Sequence, residues 1–190
     1  MPENLSKSQE SFLLSLARKS IGHYLSAGRK LKLQDLQVPK KLLNEGACFV
    51  TLHVNKRLRG CIGSLEARRP LAVDVAENAL AAAFGDPRFP PLSQNELPKV
   101  KISISILTKP KPLEVRDAGD LLKKLVAGKH GLVVRKGSFG ATFLPAVWEE
   151  LPGKEEFLSH LCMKAGLAPD EWKKAKEMRF AVYGAREFSE

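Results

Sequence analysis

Arg57-Leu58-Arg59-Gly60-Cys61-Ile62-Gly63-Ser64-Leu65 sets a thiol between two glycines and behind two guanidinium groups. Its apolar positions read as a strand, as does the upstream run Cys48-Phe49-Val50-Thr51-Leu52-His53-Val54, and the intervening Asn55-Lys56 suits a tight hairpin turn. Alternation along a regular strand sends Leu58 and Ile62 to one face and Arg59 and Cys61 to the other, so thiol and guanidinium are expected to share a surface. Glycine inside a strand marks a bulge or a close approach by a ligand or another backbone, and Gly60 and Gly63 are therefore expected to leave the thiol in open surroundings. A fixed cation favours thiolate over thiol, which casts Arg59 as the stabiliser of a reactive Cys61. The same cysteine also fits a packed small hydrophobe, because free cysteine is among the most buried residue types.

The flanking sequence supplies helices for this hairpin to pack on. From Ser6 to about Ala27 the residues Phe12, Leu13, Leu16, Ile21 and Leu25 recur at helical spacing, with Gly28 as a C-terminal cap. Leu71 to Phe84 is a second helix, opened near Pro70 and ended by Gly85, and its alanines permit close approach to a sheet. Its N-terminus, with Arg68 and Arg69 just before it, favours an anion if it begins beside the hairpin. Asp86-Pro87-Arg88-Phe89-Pro90-Pro91-Leu92 cannot be helix, since its prolines remove donors and restrict their neighbours. That stiff segment either lines a polar cleft with Asp86 and Arg88 or is pinned by their pairing with each other and with backbone.

Further along, Val100, Ile102, Ile104 and Ile106 alternate with polar residues as a half-buried strand, and Lys109 to Pro112 is an extended connector. Asp117 caps a helix carrying Leu121, Leu122, Leu125 and Val126 that Gly128 closes. Gly131 to Arg135 and Phe139 to Leu144 form a second hairpin with His130 at its start. Pro145 opens a short helix with Trp148, Lys154 to Ala165 forms another helix, Pro169 opens a last polar helix with Trp172, and Met178, Phe180 and Val182 make a closing strand. The order predicts an α+β protein: a largely antiparallel sheet with flanking helices, a larger lobe and a smaller appended one. The first helix and the closing strand are expected on one central sheet, within a single domain spanning 1–190.

Composition narrows the function. At 190 residues, 44% hydrophobic and 27% charged, the chain has the make-up of a globular domain. It contains no apolar run of membrane-spanning length and no secretory leader, and it reads as cytosolic with no membrane partner. Three widely spaced cysteines make neither a disulfide framework nor a zinc motif, and no cofactor fingerprint is present. The net charge of +10 raises the prospect of a nucleic-acid partner. The basic residues are scattered, however, without the interleaved aromatics of a stacking platform.

Leu58-Arg59-Gly60-Cys61-Ile62-Gly63 resembles the signature hexapeptide of the AMMECR domain family, whose microbial members are also called AmmeMemoRadiSam system protein A. The resemblance continues through Phe49 to Leu52, Asn78-Ala79 with Ala82-Ala83-Phe84, Asp86 to Leu92, and His130-Gly131-Leu132. It also takes in Phe143-Leu144-Pro145, Val147-Trp148, Phe157-Leu158, Leu161-Cys162 and Lys164-Ala165-Gly166, and so spans nearly the whole chain. Asn55-Lys56 stands where the family usually has a glycine, and Ala146 where glutamine is common. The resemblance implies a larger and a smaller lobe sharing a cleft, and a shared pathway with a Memo-like protein and a radical S-adenosylmethionine protein.

Two classes of function follow. As an enzyme, the chain uses Cys61 as nucleophile or covalent anchor, Arg59 as thiolate stabiliser or oxyanion partner, and His130 or His53 as base. As a non-catalytic adaptor or RNA/DNA-binding module, it presents a recognition surface from Gly60, Gly63, Asp86 and Arg88.

Overall fold

The computed structural model describes residues 5–190, which form two four-stranded sheets with helices against them. The antiparallel α+β class is borne out. The strands nevertheless divide between two compact units in place of one central sheet: the described residues up to Thr108 with Arg186–Glu190, and Lys109–Ala185. The division falls at the connector beginning with Lys109, where alternating prolines and lysines supply little that could be buried.

The first unit opens with α1 (Lys7–Ala27), whose ends follow from local chemistry. The Ser6 side chain accepts the Gln9 N–H while the Gln9 side chain accepts the Ser6 N–H, a reciprocal cap, and Gly28 takes the left-handed conformation at φ +64° that closes the helix. Leu13, Leu16, Ala17 and Ile21 form its buried stripe. The hairpin β1 (Cys48–Val54) and β2 (Arg57–Gly63) turns at Asn55 and Lys56, both at positive φ (51° and 63°), the geometry that matches strand twist. After α2 (Leu71–Phe84) and the loop 85–96 comes β3 (Val100–Leu107), paired antiparallel with β1. The order is β2-β1-β3-β8, where β8 is Ala185–Ser189, a strand the sequence pattern had not announced. Arg18 of α1 holds Glu190 just beyond it and donates to the Leu97 and Val100 carbonyls.

Alternation divides this sheet cleanly. Cys48, Val50, Leu52, Ile102, Ile104 and Ile106 are fully buried in one core with Leu13, Ile21, Leu71, Val75 and Ala79 from the two helices. Removing such side chains from water stabilises by about 1.5–3 kcal/mol each. Thr51, His53, Lys101, Ser103 and Ser105 point to the other face, together with Phe49.

The second unit holds β4 (Lys111–Pro112), α3 (Ala118–Lys124), β5 (Gly131–Lys136), β6 (Phe139–Phe143), α4 (Lys154–Lys164) and β7 (Arg179–Tyr183), with sheet order β4-β7-β5-β6. Asp117 caps α3 as expected, but the helix stops before Leu125 and leaves Val126 exposed. Trp148 lies parallel to Phe157 at 3.7 Å, at the centre of a core that includes Leu121, Leu132, Leu161 and Cys162. The helix expected after Pro169 is replaced by two single 3-10 turns, Glu171–Lys173 and Ala175–Glu177. Its polar stretch offers only Trp172 and Ala175 to that core, too few to bury the face of a longer helix.

Candidate functional site

A bulge decides where the hexapeptide points. Thr51 pairs with Cys61 and Leu52 with Gly60, but His53 pairs with Leu58, so Arg59 is the extra residue on β2. The glycine thus marks a bulge, as its presence in a strand suggests. The slip also corrects the simple alternation: Leu58 lies opposite His53 and shares the face of Cys61, while Ile62, opposite Val50, turns to the core side. Arg59 is turned away from the sulfur into a separate ion pair, its Nε 2.8 Å from Glu96 and its Nη2 3.4 Å from the Pro91 carbonyl. The Arg59 guanidinium beside Glu96, aided by the Ser93 N–H, holds that carboxyl at about 2.

The two glycines answer to packing more than to openness. A Cβ on Gly60 would lie 2.1 Å from the Ala82 carbonyl oxygen, so β2 runs directly against the backbone of α2. This is the close approach that the alanines of that helix permit. A Cβ on Gly63 would fall 2.3 Å from the Phe49 ring and 2.5 Å from the Cys48 carbonyl oxygen. Neither glycine is there to clear space around the thiol, although Gly63 also lines a cleft described below.

Cys61 itself is half-buried, whereas Cys48 and Cys162 are buried outright. Its sulfur accepts a hydrogen bond from the Thr51 hydroxyl at 3.2 Å. Its peptide N–H points outward from the sheet edge and donates to Asp86 Oδ2 at 2.8 Å, and its carbonyl receives Arg88 Nη2 at 3.4 Å. Asp86 is only 4% exposed, and its carboxylate also takes the Arg88 backbone N–H, Nε and Nη2. The Arg88 guanidinium, then the Cys61 and Arg88 N–H groups, keep the Asp86 carboxyl far below the ordinary carboxylate range despite burial. Asp86 and Arg88 are therefore paired with each other and with backbone, one of the two roles the sequence left open. Arg88 in turn is held charged by Asp86, with a smaller contribution from the Cys61 sulfur. Arg88 is thus the cation that lies beside Cys61, where the sequence had pointed to Arg59.

Across the polar face, Cys61, Thr51 and Ser103 make one row over three strands, and His53 lies opposite Lys101 in the next. His53 is thereby a diagonal neighbour of Cys61, a separation of roughly 7–8 Å between such positions. His130 belongs to the second unit, where its Nδ1 accepts the Val126 N–H and its carbonyl accepts the Trp148 indole N–H. Burial lowers the pKa of its imidazole.

A second polar cluster lies at the far end of β2. Asp74, 1% exposed, accepts from the Cys48 N–H, the Ser64 hydroxyl, Arg69 Nε and the Asn78 carboxamide. Asn78 also donates to the Cys48 carbonyl at 3.1 Å. Asp74 and Asn78 break the apolar stripe of α2 at i and i+4, and that interruption is the sequence signal for this buried network. Arg69, expected to face an anion, is committed to Asp74, and Arg68 to Glu66. A cleft of about 470 Å³ lies between Gly63, Ser64, Leu65, Glu66, Arg68 and Asp74. Burial, then the neighbouring Asp74, drives the Cys48 thiol well above its usual range and leaves it inert.

Among the described residues no group of histidine, cysteine and carboxylate side chains is arranged to hold a metal ion, and no helix is long and apolar enough to cross a membrane. The fold and the hexapeptide geometry define a two-sheet α+β protein with an ordered thiol on an edge strand. The AMMECR1 family profile matches residues 14–188, and the chain belongs to that family. It is similar to Protein MK0488 of Methanopyrus kandleri, 40% identical over all of this chain and 92% of the relative. Protein MJ0810 of Methanocaldococcus jannaschii is 39% identical over 88% of this chain and 84% of that protein. Among solved structures, that of the uncharacterized protein PH0010 from Pyrococcus horikoshii superposes with a TM-score of 0.89 at 33% identity, covering 98% of this chain and 93% of that one.

Proposed function

We propose that the chain is the thiol-bearing component of a modification pathway, with Cys61 as a nucleophile or covalent anchor for the group being modified. The observation that carries this reading is the different treatment of three cysteines in one chain. Two are buried in cores, and the third is half-buried on a polar face, with a hydroxyl on its sulfur and its peptide fixed on both sides by Asp86 and Arg88. Packing alone does not call for a buried carboxylate to hold the outward peptide of a surface cysteine. A thiol kept at a fixed angle for reaction does.

In this reading Thr51 orients the sulfur, Arg88 places a positive charge beside it, and His53 is the base on the same face. The resemblance to AmmeMemoRadiSam system protein A supports partners of two kinds, a Memo-like protein and a radical S-adenosylmethionine protein. These would deliver or complete the chemistry on the Cys61-bound group.

The test is alkylation of the folded protein with iodoacetamide followed by peptide mapping. Cys61 is expected to label quickly while Cys48 and Cys162 label only after unfolding. Equal protection of all three would overturn the proposal, as would full complementation of a gene deletion by Cys61→Ala.

A further inference from the structure

Resting on the reading of Cys61 as the reacting thiol, we infer that Arg88 is an anion-accepting subsite beside it, so that the group presented to Cys61 carries a carboxylate or a phosphate. Arg88 is used from one side only. Its Nε and Nη2 bind Asp86, and Nη2 also reaches the Cys61 carbonyl, which leaves both N–H bonds of Nη1 without a partner among the described residues. The pair is asymmetric with respect to water: the Arg88 side chain is 55% exposed and that of Asp86 only 2%. The carboxylate is thus the inner pole and the guanidinium the outer one, and an arriving ligand meets the positive end.

The guanidinium is also held in place, as a binding group must be. It lies over the Phe89 ring, 5.5 Å from the centroid, and the prolines at 87, 90 and 91 restrict the loop that carries it. The Arg59 guanidinium flanks the same ring at 6.0 Å, and its Nη1 is likewise uncommitted among the described residues. Planar N–H donors fixed next to a reactive atom suit the oxygens of a carboxylate or a phosphate.

Two alkylating reagents with the same reacting carbon and leaving group but different charge test this. In both reactions the Cys61 sulfur forms a bond to the methylene carbon, the carbon–iodine bond breaks, iodide leaves with the electron pair, and the thiol proton passes to solvent. Iodoacetate carries a carboxylate and iodoacetamide a neutral amide. In the folded protein the iodoacetate-to-iodoacetamide rate ratio at Cys61 is expected to exceed the ratio at the same residue in the urea-unfolded chain by about threefold to fivefold, the scale of one partly exposed charge contact. Millimolar inorganic phosphate should slow iodoacetate more than iodoacetamide. Arg88→Gln should return the ratio to its unfolded value, and Arg88→Lys should restore part of the preference.

Rapid labelling by both reagents at the unfolded-chain ratio would overturn the anion subsite and leave the thiol reading intact. Protection of Cys61 from both would remove the thiol reading, and this inference with it. The wild-type ratio and the phosphate competition need no variant, so a misfolded Arg88→Gln protein does not spare the inference.

Discussion

Replacing Asp86 tests the link between the loop 85–92 and the strand that carries Cys61. Asp86→Ala strips the Cys61 N–H of its acceptor and frees Arg88 from three contacts with one carboxylate, two of them at 2.7 and 3.0 Å from the guanidinium. A peptide N–H left unsatisfied in a half-buried place costs about 1–3 kcal/mol. Arg88 is more than half exposed and rehydrates, so the lost ion pair adds only about 0–1 kcal/mol. The expected loss for Asp86→Ala is therefore about 1–4 kcal/mol by urea denaturation. Asp86→Asn keeps one oxygen for the Cys61 N–H but turns an NH2 toward Arg88, and should lose about 1–2 kcal/mol. The ordering matters more than either value, because it separates the backbone acceptor from the charge. A loss under about 0.5 kcal/mol for Asp86→Ala would refute the reasoning, since that size belongs to a surface substitution without structural role.

Gly60→Ala forces a methyl to within 2.1 Å of the Ala82 carbonyl oxygen, and because the obstacle is backbone, β2 and α2 must separate. The expected cost is about 3 kcal/mol or more in denaturant melts, and a neutral substitution would contradict the packing described. The folded Glu96 carboxyl, held at about 2 by Arg59, lies below its unfolded value of 4.5, so its contribution is full above pH 4.5 and is lost as pH falls toward 2. Asp86 is depressed in the same sense, and acid melts of Glu96→Gln should be flatter than wild type across that window. Thr51→Val keeps the shape of the side chain but removes the donor to the Cys61 sulfur; slower alkylation of Cys61 by about twofold or more, with an unchanged melting temperature, is the expected outcome.

The elements announced by short-range chemistry were legible in the sequence. Asn55-Lys56 turned the first hairpin, Ser6 and Gly28 bounded α1, and the apolar alternation of β3 was plain. What stayed hidden depends on partners distant along the chain. Arg59 was aligned with Cys61 by simple alternation, and only the one-residue slip against His53, together with Glu96 thirty-seven positions later, sends it elsewhere. The buried network of Asp74 and Asn78 likewise forms only when Cys48 and Ser64 meet them from the hairpin. The division into two sheets was likewise unreadable from strand pattern alone, because β8 carries no announced strand pattern and only the pairing shows that it joins β3 while β7 joins β5.

The Asp86–Arg88 pair has a bearing on solubility as well. Strand β2 is the outermost member of its sheet, and the outward peptide of Cys61 is where an incoming chain would register its first ladder bonds. A carboxylate on the N–H and a guanidinium on the C=O occupy both docking points, in the manner of a counterfeit neighbouring strand. The border of the sheet is thereby shut to recruitment of further chains at the position where the chain displays its thiol, so that two copies meeting there find no template on which to stack.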